Sequence, residues 1–286
     1  MTEHPRAVLS VDLELFAHTP AYRQASGKLG DETVGLEGVD FLRERFADAD
    51  VETTWYVVAA LTDSAPGMIE SLADWGHEIG SHTTSHRQLS ELDATDRRAE
   101  LEGSRARLED LIGGPVSGFR APAFDLGPDH FSELAAAGYE YDSSVVASRA
   151  IPGWYGGEFD LDRPATAAAV REGAPEELAA LPVSVMPWLR LPLTGTWLRF
   201  FGPRYTILGM RRLARRGVAP LLYVHPWEFV DLPRIEGVPK RVYYHTGAWM
   251  RRAVDRILET EFEFVTAREV LEDEGLLAAS PTTGGK

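Results

Sequence analysis

The chain of 286 residues carries 29 basic and 44 acidic residues, a formal net charge of −15, and no cysteine. That composition excludes a disulfide framework, a thiol nucleophile and thiolate metal ligands. It also argues against duplex nucleic acid as a partner, which needs a concentrated basic face. No apolar run approaches the roughly 20 residues of a membrane span. Residues 1–6 are polar and lack the form of a secretory signal, so the cytoplasm is the expected compartment. Lysine occurs only at positions 28, 240 and 286. An acidic, lysine-poor surface is what a high-salt cytoplasm favours, where charge maintains solubility.

Residues 6–12, RAVLSVD, read as a buried strand running into acids. Asp12 and Glu14 stand at its end, and a period of two points both the same way. Two adjacent carboxylates are costly unless they share a cation or a proton. Taken alone, a pair of solvated loop acids is the plainer reading. Residues 13–35 form a polar, glycine-containing loop long enough to carry function.

Residues 36–47 predict an amphipathic helix with Val39, Leu42 and Phe46 in its stripe. A strand follows over 52–59. A helix spans 66–75, with Ser64 as candidate cap, Pro66 near its first turn and Gly76 beyond its end. A short third strand then delivers His82 and His86. In a helical turn that spacing puts both imidazoles on one face, where they can share a metal ion. Neutral imidazole suits zinc and other late first-row ions. Two exposed histidines in a polar loop is the alternative.

Residues 93–112 predict a long charged helix with Leu101, Leu108 and Leu111 inward, stopped by Gly113-Gly114-Pro115. A strand over 117–120 brings Arg120 ahead of Ala-Pro-Ala-Phe. A helix over 129–137 and a strand over 139–142 lead to Asp142-Ser143-Ser144. Residues 148–181 lack periodicity and read as a long excursion over a barrel mouth. A strand over 181–186 precedes an aromatic, arginine-rich segment, 187–201, that contains Trp197. A helix over 203–216 and an apolar strand over 219–225 lead to His225-Pro226-Trp227-Glu228. A helix over 246–259, a strand over 261–265 and a helix over 267–275 complete the domain, expected over 1–277. Residues 278–286 are an expected disordered tail.

Alternating strands and helices argue a parallel α/β sheet. Asp12, Glu14, His82, His86, Arg120, Asp142 and His225 all follow the C-terminal ends of strands, which converge on one mouth in a (β/α) barrel. No internal repeat is evident, and no glycine-rich phosphate loop follows a strand.

Six motifs run in order along the chain: SVDLE at 10–14, HTTSH at 82–86, FRAPAF at 119–124, GYEYDSS at 138–144, LPVS at 181–184 and YVHPWE at 223–228. With them the chain resembles the polysaccharide deacetylases, the NodB-homology domain of carbohydrate esterase family 4. It looks most like the subfamily found with exosortase and exopolysaccharide genes. The resemblance implies a single-domain α/β fold, a distorted and incomplete (β/α)7 barrel. It also implies a divalent metal, usually zinc, bound by an aspartate and two histidines. The family's first strand carries adjacent aspartates, the first a general base and the second a ligand. Asp12 matches the first. Leu13 occupies the second position and cannot ligate, so Glu14 is the candidate replacement.

By the same resemblance, Glu14, His82 and His86 are the metal ligands and Asp12 takes the proton from the attacking water. Arg120 holds Asp12 ionised and oriented, and the backbone N–H of Ala123 donates to the oxyanion. His225 protonates the leaving amine, with Asp142 as its charged partner; a solvated Asp142 is the alternative. Trp227 and Trp197 stack on a sugar or wall the acetyl pocket, or else simply fill space. The implied reaction removes acetyl groups, N-acetyl before O-acetyl, from a glycan or from a lipid- or nucleotide-linked sugar. Hydrolysis of a small cyclic amide, as in allantoinase-like relatives, is one rival. A non-catalytic glycan-binding relative is another. The joint presence of Asp12, His82, His86, Arg120 and His225 argues against the latter, because function rests on the site rather than the fold.

Overall fold

The structure, a computed structural model, describes residues 4–29, 32–151 and 156–279. The chain starts with β1 (Arg6–Leu13), buried along nearly its whole length. β2 (Thr54–Val57), β3 (Glu78–Ser81), β4 (Gly118–Phe119) and β5 (Tyr141–Asp142) follow. The stretch 148–181, read as an aperiodic excursion, contains β6 (Ala165–Thr166) and β7 (Ala179–Ala180), and β8 (Leu221–Val224) and β9 (Glu263–Phe264) come after it. The sheet order is β6-β7-β5-β4-β3-β2-β1-β8, with β9 pairing the start of β1. All neighbours run parallel except β6 and β7. The fold is a single curled α/β sheet, a distorted, incomplete barrel.

The alternation along β1 sorts its side chains into two layers. Ala7, Leu9, Val11 and Leu13 pack toward the helices, with Leu42 and Phe46 of the helix Leu36–Asp48. Val8 packs in the barrel interior with Tyr56, Tyr141, Leu221 and Tyr223. Ser10 and Asp12 share that period and point inward, as the period-two reading requires. Between the chain after β7 and β8, closure rests on single contacts. Leu221 N–H donates to Ser184 Oγ at 2.8 Å, and Thr194 bridges Tyr223.

Three expectations change in detail. The strand read at 181–186 carries only isolated bridges, Val183 to Val146 and Val185 to Pro192, and the ladder lies earlier at β7. Pro182 and Pro187 have no N–H to offer a ladder there. The segment read as irregular at 187–201 contains a helix, Gly195–Phe201, whose first turn is capped by Thr194 Oγ1. The helix Pro66–Asp74 starts at Ala65 with no side-chain cap, so Ser64 does not serve. The expected tail from 280 onward lies outside the described residues.

Two contacts of the scaffold bear on the site and on stability. At Gly38, in the helix Leu36–Asp48, an added Cβ would come within 1.9 Å of the Pro226 carbonyl oxygen, so helix and turn meet backbone to backbone. His77 is buried against Phe46 and Trp55, and its Nδ1 accepts the Thr53 N–H at 3.2 Å. Burial lowers its pKa to about 4. The unfolded chain takes up that proton near pH 6.5, whereas the folded chain resists it down to about 4. Stability is therefore full above 6.5 and falls as pH drops toward 4, by about 3 kcal/mol from this group. Urea unfolding at pH 7 and pH 4.5 measures the loss. In His77→Gln the acid-side loss should shrink by that amount, and an unchanged pH dependence would assign it elsewhere.

Candidate active site

The site is built from strand ends. Asp12 closes β1, with Glu14 two residues on. His82 leaves β3, Arg120 leaves β4, Ser143 and Ser144 leave β5, and His225 leaves β8. A cavity of about 900 Å³ opens over these ends. Asp12, Glu14, His82, His86, Ala123, His225 and Trp227 line it, joined by Gly156, Glu158 and Phe159 of the excursion. Arg120, Asp142 and Trp197 do not line it.

His82 and His86 meet by a route other than a helical turn. Residues 82–86 form a loop in which Thr83 and His86 adopt left-handed φ of 65° and 57°. Cross-bracing holds that conformation. Thr83 Oγ1 accepts the His86 N–H at 3.0 Å. The Glu100 carboxylate accepts the N–H groups of Thr84 and Ser85 at 2.9 and 2.8 Å. Arg23 donates to the carbonyls of His86 and Ser85. His82 Nδ1 donates to the Arg120 carbonyl at 2.7 Å, which leaves Nε2 as a lone-pair donor. Burial pushes the His82 imidazole down to about 4, so it stays neutral.

One ligand atom from each of Glu14, His82 and His86 lies within 4.8 Å of the others. Glu14 Oε1 accepts the Trp227 Nε1–H at 2.9 Å. Its other oxygen, Oε2, is buried without a hydrogen bond and abuts His86 Nε2. Burial alone would raise the Glu14 pKa, but His86, His225 and His82 hold it far below the carboxylate range. An ionised, buried carboxylate oxygen facing an imidazole nitrogen fits a shared cation.

Arg120 is fully buried and grips Asp12. Its Nη1 donates to Asp12 Oδ1 at 2.6 Å and to Ser10 Oγ at 2.9 Å. Its Nη2 and Nε reach Ser143 Oγ and the Ser143 carbonyl. The guanidinium lies over the Tyr56 ring at 4.1 Å. Such a fork fixes a carboxylate in both position and charge.

His225 takes a different partner from the one expected. Asp142 accepts from His130 Nε2 at 3.1 Å and from Ser144 Oγ at 2.5 Å, away from His225. The carboxylate beside His225 is Glu228, whose Oε2 accepts the His225 N–H at 2.9 Å and lies 3.3 Å from its Nδ1. Glu228 is held in turn by the buried Arg199 at 2.7 Å. Burial disfavours the imidazolium, but Glu228 and Glu14 outweigh it and bring His225 to about 9. Glu228 stands three residues after His225 within the YVHPWE motif, so this pairing was within local reach of the sequence. Arg199 lies outside that reach.

The remaining expected residues divide. Ala123, at φ 53°, and Phe124 line the cavity in a turn tied to Ser144 Oγ through the Ala121 N–H. Trp227 lies flat against His225 at 5.1 Å and fixes Glu14, so it supports the site more than it offers a sugar platform. Trp197 stacks on Phe201 at 5.4 Å and is not part of the cavity lining.

Known proteins resemble this chain in sequence and in fold. Residues 40–141 match the family described as polysaccharide deacetylase, and residues 143–272 match one described as a domain of unknown function, DUF3473. Chitin deacetylase 1 of Cryptococcus neoformans var. grubii is 32% identical over 98 residues, 34% of this chain and 20% of that protein. Across the curated relatives, the aligned stretch spans 20% to 41% of the relative's length. A probable polysaccharide deacetylase from Pseudomonas aeruginosa superposes with a TM-score of 0.65 at 16% identity, over 96% of this chain and 93% of that one. Puue allantoinase superposes with a TM-score of 0.64 at 16% identity, over 98% and 96%. At such identities the two structures show a shared fold. Residues 40–141 thus carry a polysaccharide deacetylase domain, continued over residues 143–272 by a DUF3473 region.

Proposed function

We propose that the chain is a metal-dependent hydrolase that removes acetyl groups, N-acetyl foremost, from a polysaccharide or a lipid- or nucleotide-linked sugar precursor. One observation supports this reading most. The Glu14, His82 and His86 ligand atoms cluster within 4.8 Å on the same cavity that Asp12 and His225 line. Those three residues would hold a divalent ion, with zinc the expected one for imidazole and carboxylate donors. When bound, such an ion polarises the acyl carbonyl and acidifies water.

The chain's own residues supply the proton traffic. Asp12, locked by Arg120, accepts the proton of the attacking water at its carboxylate. His225, backed by Glu228, returns a proton to the departing amine nitrogen. The turn carrying Ala123 presents backbone at the cavity wall, where an N–H can meet the developing oxyanion. The excursion residues Gly156, Glu158 and Phe159 narrow the mouth around the glycan.

Acetate release from chitin oligomers, peptidoglycan fragments and acetylated xylan, beside ring opening of allantoin to allantoate, tests the reading. Release from an N-acetylated glycan by protein that carries metal on elemental analysis is expected. Metal-loaded protein that leaves every acetylated glycan intact would overturn it, and turnover of allantoin instead would favour the cyclic-amide rival. Removal of one ligand sharpens the test. His82→Ala should stay folded, lose metal affinity by more than about tenfold and release no acetate. A metal-free His82→Ala protein with full activity would end the metal assignment.

A further inference from the structure

Charge is unevenly distributed along the chain. Against a net charge of −15, the stretch from Leu178 to Trp227 contains seven arginines and no carboxylate. Glu261, Asp162, Asp160 and Glu228 pair with Arg211, Arg216, Arg190 and Arg199. Arg204, Arg212 and Arg215 form no ion pair among the described residues. Arg204 and Arg212 stand four residues to either side of exposed Leu208 on one face of the helix Pro203–Ala214.

The same region holds nearly all the exposed large hydrophobic side chains. Trp188 is 87% exposed, and Leu189, Phe200, Phe201, Leu208 and Tyr244 are exposed as well; among the described residues only Trp75 lies elsewhere. Contacts connect several of them. The Arg212 guanidinium lies over the Trp188 ring at 5.3 Å, Tyr205 donates to the Leu191 carbonyl at 3.4 Å and packs on Phe201 at 4.9 Å, and Trp197 touches both Phe200 and Phe201. Phe200 stacks on Tyr244 at 5.6 Å. Trp188 and Arg190 hold left-handed φ of 68° and 50°, a conformation that side chains other than glycine adopt at a cost.

We propose that this face docks on an anionic lipid bilayer surface. Trp188 and Leu189 protrude rather than frame a groove, which suits insertion among headgroups more than receipt of a partner's side chains. Aromatic rings with arginines between them match the chemistry of the headgroup layer, apolar below and anionic above. A chain of net charge −15 is repelled overall by such a layer, and the unpaired arginines among exposed aromatic rings give this face a means to offset that repulsion. The patch adjoins the cavity rim: Tyr244 lies two residues beyond Val242, which lines the cavity. No helix among the described residues is long and apolar enough to cross a membrane, so the contact is with one leaflet. The proposal does not depend on the chemistry assigned to the cavity.

Flotation of the intact chain with phosphatidylglycerol vesicles at low salt tests it, with phosphatidylcholine vesicles as the comparison. The chain should float with the first and not with the second. Arg204→Gln/Arg212→Gln should weaken binding about 30-fold, at the usual worth of two juxtamembrane cations. Trp188→Ser/Leu189→Ser should abolish flotation. Both variants should keep the wild-type melting temperature and acetate release from soluble oligomers. Wild-type protein that stays below phosphatidylglycerol vesicles, or variants that float as well as wild type, would overturn the proposal. So would a wild-type dimer, seen by sedimentation, that Trp188→Ser/Leu189→Ser converts to monomer with no flotation in either, because the face then serves a second copy.

Discussion

Asp12→Asn should lower acetate release by roughly 10²–10⁴-fold, the usual contribution of a general base. The amide keeps the shape of the side chain and an oxygen for the 2.6 Å bond from Arg120 Nη1. It cannot take up the proton of the attacking water. The change also removes a negative charge from a buried pair, so some loss of stability accompanies it. The two effects separate by measurement. Elemental analysis should find wild-type metal content, because Asp12 is not among the clustered ligands. Turnover should fall while KM for the glycan changes little, since an interaction made only in the transition state has been lost. Activity within about tenfold of wild type in a folded, metal-bound Asp12→Asn protein would remove Asp12 as base.

The largest expected stability effect lies at Arg120. Its guanidinium is fully buried and satisfies Asp12, Ser10 and Ser143 at once, with the Tyr56 ring beneath it. Arg120→Met fills much of the volume but strands the Asp12 carboxylate in the barrel interior. Removing one member of such a pair costs about 3–5 kcal/mol. Arg120→Lys keeps the charge and should recover part of the loss. An ammonium is a point donor and cannot span Asp12 and Ser143 together, so activity should remain low even where the fold holds. Urea unfolding of the three proteins at pH 7 gives the comparison. A cost below about 1 kcal/mol for Arg120→Met would mean that Asp12 finds other partners, and its orientation would then not depend on Arg120.

How much of this was legible in the sequence follows from the range of the interactions involved. The alternation in RAVLSVD is local, so the shared side of Asp12 and Glu14 could be read from it, whereas their roles came only with the resemblance. The positions of His82, Arg120 and His225 after strands were equally local, and a parallel sheet brings such ends together. The loop between His82 and His86 was not legible as drawn. Its left-handed residues are stabilised by Glu100 and Arg23, which lie far from it in the chain. Asp142 was assigned to His225 by resemblance, whereas its partner is His130, buried at the start of the preceding helix. The helix Gly195–Phe201 has seven residues, too few for its apolar period to stand out from an aromatic run. Arg199 could be recognised as a site residue only once that helix placed it against Glu228.

The seat of the Pro226 turn on Gly38 has one more consequence. The short segment from His225 to Glu228 anchors Glu14 through Trp227 and steadies His225 through Glu228. Because main chain rests on main chain at that seat, there is no side chain to swing aside. The Glu14 carboxylate and the His225 ring therefore share one backbone-to-backbone seat on the Leu36–Asp48 helix, so a substitution that lifts that seat should displace both together.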